Sequence, residues 1–135
     1  MVFERVREIV DDNGGRLRVT VAADQRGALV TLELPDGPGK PRLLLGPSDA
    51  ELLSGYLMSA RLALPYGLPD EPVARGLAQR LRLVLSPSPL VEVTQNAHGS
   101  AFPIPASYWD KLYAELCMVV AHTRDLPRLG PISIH

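Results

Sequence analysis

The side chains best suited to metal or nucleophilic chemistry in this chain are three histidines and one cysteine, and their spacing favours neither. His98, His122, His135 and Cys117 form no pair with zinc-ligand or zincin spacing. His122 stands five residues after Cys117, which sets the two on different faces of a helix. Cys117 falls among apolar neighbours of a predicted helix, where a buried, inert thiol is expected. The glycines of Asn13-Gly14-Gly15 precede a predicted strand, whereas a phosphate cradle needs a helix after its glycines. Amide, imidazole and hydroxyl groups cluster only in Gln95-Asn96-Ala97-His98-Gly99-Ser100. His98 is the candidate general base there, but no carboxylate stands close in sequence to orient its ring, and a polar hairpin loop accounts for the same residues. The sequence therefore assigns no catalytic residue, no metal ligand and no cofactor, and an enzyme acting through His98 ranks last among its readings.

Binding chemistry has better candidates. Arg16 and Arg18, echoed by Arg80 and Arg82, project from one face of two predicted strands and make a four-arginine set able to meet phosphates or carboxylates. Glu33 and Glu92 occupy the same polar face of neighbouring strands, so ordinary cross-strand Arg–Glu pairing is the competing account. At the other end, Leu126, Leu129, Ile132 and Ile134 make the terminal segment unusually apolar for a solvated tail, so it is expected to dock on the domain or on a second chain.

The elements that must position these residues follow from periodicity. Phe3, Val6, Ile9 and Val10 recur at helical spacing and predict a short N-terminal helix stopped at Asn13-Gly14-Gly15. From Arg16 the period becomes two, with Leu17, Val19 and Val21 on one face. Gln25-Arg26-Gly27 is a hairpin turn into a second strand carrying Val30, Leu32 and Leu34, and Arg42 to Leu45 is a third. Ser48 and Glu51 have capping-box spacing ahead of the stripe Leu52, Leu53, Tyr56, Leu57, Ala60 and Leu64, which Pro65 ends. Residues 65–72 read as a proline-rich linker, and Val73 to Gln79 as two helical turns.

The pattern then restarts. Arg80-Leu81-Arg82-Leu83 restates Arg16-Leu17-Arg18-Val19, Leu90 to Thr94 restates Leu29 to Glu33, and Phe102 to Ile104 stands for the third strand. Ser107, Asp110, Leu112, Leu116 and Val119 match Ser48, Glu51, Leu53, Leu57 and Ala60 at a constant offset of 59. The expected fold is a single α+β domain over residues 1–135, built of two pseudo-symmetric βββα repeats. Repeat one covers about 1–64 and repeat two about 73–123, with a proline-broken, irregular tail at 124–135. Antiparallel sheet, covered on one side by two long helices, would bury Leu17, Val19, Val30, Leu32, Leu81, Leu83, Val91 and Val93.

Hydrophobic residues at 46% and charged residues at 21% are ordinary for a globular domain. No apolar run approaches a membrane span, and Met1 to Val10 alternates charge with apolar residues where a signal peptide would be continuously apolar, so a cytoplasmic location is expected. A net charge of −1 supplies no bulk attraction to nucleic acid or anionic lipid. Twelve arginines against two lysines, with frequent Pro, Gly, Ala and Leu, suggest a GC-rich bacterial coding bias.

The segment from Ser100 through Phe102, Ile104, Ser107, Trp109 and Asp110 to Leu116 resembles the last strand and capped helix of the positive-cofactor-four family. Whirly proteins resemble a covalently doubled version of that unit. The resemblance implies single-stranded nucleic-acid binding on the sheets, with Arg16, Arg18, Arg80 and Arg82 as the residues that carry over. The chain departs from those families in having three predicted strands per unit where they have four. It also carries a single strand aromatic, Phe102, where they have lysines and stacking platforms. In opening with a helix, continuing through strands and ending in a helix, the expected plan is also similar to small acidic secretion chaperones. The leading expectation is a non-catalytic binding module that engages a protein, with self-association into a homodimer among its modes; single-strand binding and chaperoning are the alternatives.

Overall fold

A computed structural model of the chain describes residues 3–24, 27–68, 71–73, 79–95 and 101–133. The fold is α+β. Strands β1 (Phe3–Val10), β2 (Arg16–Asp24), β3 (Gly27–Glu33) and β4 (Arg42–Leu45) form one antiparallel sheet in that order and lead into α1 (Pro47–Ala63). Strands β5 (Glu71–Val73), β6 (Gln79–Val84), β7 (Leu90–Gln95) and β8 (Phe102–Pro105) form a second, which runs through a 3₁₀ turn at Ala106–Tyr108 into α2 (Trp109–Ser133).

The expected N-terminal helix is replaced by β1. Phe3, Val6, Ile9 and Val10 satisfy a helical period, but the edge of β2 offers Arg5, Arg7 and Ile9 a face shared with Val21, Val19 and Leu17. The turn from Asp11 to Gly15 is a hairpin loop, not a helix stop. Gly14 takes a positive φ of 82°, and the Asp11 carboxylate accepts from the Asn13 and Gly15 amides. Four strands, not three, therefore precede α1. Four also precede α2, because β5 occupies the end of the expected linker and includes Val73, the expected start of a short helix. The tail is a further correction: α2 continues to Ser133 through Pro127 and Pro131. Two prolines four residues apart remove donors from one side of a helix and leave the rest of its ladder.

The helix starts also differ from the capping-box expectation. Pro47, pre-set for the first helical position, moves the start of α1 so that Gly46 is the N-cap and Ser48 lies inside the helix. Ser107 instead turns its hydroxyl to Asp11 Oδ2 at 3.4 Å.

Alternation along the strands sends Leu17, Val19, Val30, Leu32, Leu81, Leu83, Val91 and Val93 inward, all buried as expected. With Leu53, Leu57 and Ala60 of α1 and Leu112, Leu116 and Val119 of α2, they belong to one hydrophobic cluster. The helices pack on each other, and each reaches the other half of the chain, α1 touching β6 and α2 touching β3.

Polar contacts fix the same junction. Trp109 is 1% exposed and its Nε1–H donates to the Ile104 carbonyl at 2.8 Å. The Arg61 guanidinium lies 5.0 Å from the Trp109 ring centroid, donates to Asp110 Oδ1 at 3.0 Å and to the Ala106 carbonyl at 2.9 Å. Arg5 pairs with Glu115, tying the edge strand to α2. The Tyr108 hydroxyl closes over Gly15, where a Cβ would stand only 2.6 Å from it.

Trp109→Ala is expected to cost about 3–5 kcal/mol, read as a lowered urea midpoint. Burial, then the charge of Asp11 and a hydrogen bond to it, hold the Tyr108 hydroxyl above the usual tyrosine range. The folded state therefore keeps this proton longer than the unfolded chain does. The contribution is complete below about pH 10, where a free tyrosine titrates, and is lost as pH rises through the folded-state value. Tyr108→Phe is expected to flatten the alkaline fall in stability measured by denaturation across that range.

Candidate functional site on the outer sheet faces

Strand alternation that buries one face presents the other to solvent, and cross-strand register arranges what is presented into rows. On the first sheet one straight row runs Glu8, Arg18, Glu33, Arg42 across β1 to β4. The row beside it runs Val6, Thr20, Thr31, Leu44, in which Thr31 is itself buried at 8% exposed, and the next runs Glu4, Ala22, Leu29. Val10 and Arg16 close the far end. Val6 (52% exposed), Val10 (51%), Leu29 (44%) and Leu44 (41%) thus share this one face. They are four of the large apolar side chains most open to solvent among the described residues.

The expected arginine set is divided between the sheets, Arg16 and Arg18 on β2 and Arg80 and Arg82 on β6. Arg16 grips Asp36 through Nε and Nη2, both at 2.9 Å, and approaches Glu8 at 3.4 Å. The hydrogen bonds to Asp36, then its charge, raise the Arg16 pKa, and the same bonds hold the Asp36 carboxyl below the usual carboxylate range. Arg18 donates to Glu8 Oε2 from Nε at 3.3 Å and from Nη2 at 3.1 Å. Arg82 and its register partner Glu92 stand 4.0 Å apart, and Arg80 is exposed opposite Thr94. No aromatic side chain lies on either outer face among the described residues.

Leu126, Leu129 and Ile132 fall on the last turns of α2, while Ile134 and the His98 loop lie outside the described residues. Cys117 is half-buried and hydrogen-bonded with Tyr113, whose hydroxyl is pushed up by that contact. Among the described residues no three His, Cys, Asp or Glu side chains group to hold a metal ion, and no helix is long and apolar enough to cross a membrane.

Val6 and Val10 satisfy a helical period with Phe3 and Ile9, which hides them in the sequence as members of this outer face. The signal that finds them is the Asn13-Gly14 pair, a hairpin mark, between two β-branched, charge-alternating runs. No protein-family model matches the chain, and no curated protein matches it.

Arg18→Glu would set three carboxylates side by side on β1, β2 and β3, since Glu8 and Glu33 flank position 18. Like charges directly opposite repel, so a loss of about 1 kcal/mol is expected in urea denaturation. Most of it should be recovered in about 1 M NaCl, where screening acts within a few ångströms.

Proposed function

We propose that this chain is a non-catalytic binding module acting through protein–protein contacts, with the outer face of the first sheet as its contact surface. The observation that carries the reading is the gathering of Val6, Val10, Leu29 and Leu44 on one solvent face of four hydrogen-bonded strands. A polar face would cost nothing to leave in water, whereas these side chains gain by being covered. Among their charged neighbours, Arg16 and Arg18 are already paired with Glu8 and Asp36, which suits a flat protein surface better than a polyanion.

Single-strand nucleic-acid binding of the Whirly type remains the second reading, and one observation favours it. Four strands stand ahead of each helix, the count those families have and the sequence pattern lacked. We take that order, with the constant offset between the two helices, as support for two halves related by duplication. Against it stand the absence of outward aromatics among the described residues and the carboxylates already occupying Arg16 and Arg18. The chaperone likeness loses its opening helix to β1.

The test pairs two measurements on the purified chain. Association with a protein, itself or another, is expected to survive about 0.5 M NaCl, where exposed charge attraction is screened, and to be lost in Leu29→Asp/Leu44→Asp. Labelled oligo-dT is expected not to bind at low salt. Salt-sensitive oligo-dT binding that Arg18→Glu/Arg82→Glu abolishes would replace this reading with the second.

A further inference from the structure

Resting on that reading, we infer that the occupant of the first sheet's outer face is a second copy of the same chain, stacked face to face about a two-fold axis parallel to the strands between β2 and β3. Such an axis keeps each row in register and reverses its order across the sheet, so β1 faces β4 and β2 faces β3 of the other copy. The charged row Glu8, Arg18, Glu33, Arg42 alternates in sign over four strands. Reversed, it sets Glu8 against Arg42 and Arg18 against Glu33 of the second copy, every contact of opposite sign. The neighbouring row sets Val6 against Leu44, with Thr20 over a Thr31 that is already buried, and the row beyond sets Ala22 against Leu29. No apolar side chain of these rows meets a charge, and no charge meets its like. A contact that is self-complementary in this way is what a closed two-fold dimer requires.

Face-to-face sheets pack at about −30°, so register is tightest over the central pair, Arg18 with Glu33, and loosens toward β1 and β4. Four strands about 4.8 Å apart and three rows about 6.8 Å apart give a footprint of about 400 Å² per copy, below the roughly 800 Å² of a standard interface, so a weak dimer, with a Kd of order micromolar or weaker, is expected.

Sedimentation velocity over a concentration series tests this with a charge-reversal pair. Arg18→Glu alone sets carboxylate against Glu33 of an identical copy, and Glu33→Arg alone sets guanidinium against Arg18. Each variant by itself is expected to self-associate at least about tenfold more weakly than the unaltered chain. Mixed in equal amounts they present opposite charges at both central contacts, and dimerisation is expected to return. A merely structural effect of either substitution cannot be cured by mixing, and circular dichroism of each variant checks that it is folded. An unaltered chain that stays monomeric at about 100 μM overturns the inference, as does a mixture no more associated than its components. If the monomeric chain still holds another protein through Leu29 and Leu44, only the second-copy assignment falls. If nothing depends on that face, the binding reading falls with it.

Discussion

The indole of Trp109 is buried at the first residue of α2, donates to a β8 carbonyl and lies beneath a guanidinium from α1, so one side chain joins a strand and both helices. Its N–H would be costly to bury unpaired, and the Ile104 carbonyl satisfies it. Arg61 then does two things: its plane covers the ring, and its donors hold Asp110 and the Ala106 carbonyl at the entry to α2. The 3₁₀ turn at Ala106–Tyr108 is held from the other side by Asp11, which accepts from Ser107 and is hydrogen-bonded with Tyr108 beside Gly15. The position of α2 is thus set by residues of the first half of the chain before its apolar side is counted.

With the helices seated, register decides most of what the first sheet leaves to solvent. The edge strand β1 shows how tightly. Ile9 reaches the core, while Arg5, two register positions along on the same face, reaches Glu115 of α2 instead of apolar side chains. Its Nε is buried without a hydrogen-bond partner, a cost tolerated at a sheet margin and not at its centre. An inward arginine on an edge strand discourages further strand addition at that edge.

Much of the fold was legible because burial leaves a periodic trace. The residues expected inward on β2, β6 and β7 are buried, as are Val30 and Leu32 of β3, while Leu34 falls after that strand and is part-buried; Leu53, Leu57, Ala60, Leu112, Leu116 and Val119 are buried on the helices as expected. The first ten residues misled because β1 is an edge strand whose inward positions alternate Arg5, Arg7 and Ile9, so its apolar residues fall by chance at helical spacing. β5 hid behind Pro72, which a short edge strand tolerates. The tail reads as irregular because of Pro127 and Pro131, yet proline in a helix is a penalty and not a prohibition, and α2 runs through both. Arg16 and Arg18 were legible as outward residues, but Glu8, the carboxylate that holds Arg18 and approaches Arg16, was invisible while β1 read as a helix.

That last dependence changes what the arginines mean. An arginine held by two donors to one carboxylate has part of its side-chain freedom already spent within its own chain, and its charge is largely cancelled at a distance. Such a pair attracts a polyanion poorly, because the phosphate must displace the carboxylate. Toward a surface bearing the same alternation the pair is preorganised, since each fixed charge keeps its intrachain neighbour and gains an opposite one across the contact. The alternating row and the apolar row are adjacent because cross-strand register places them so, which leaves Val6, Leu29 and Leu44 exposed beside a charge pattern that is its own complement when reversed.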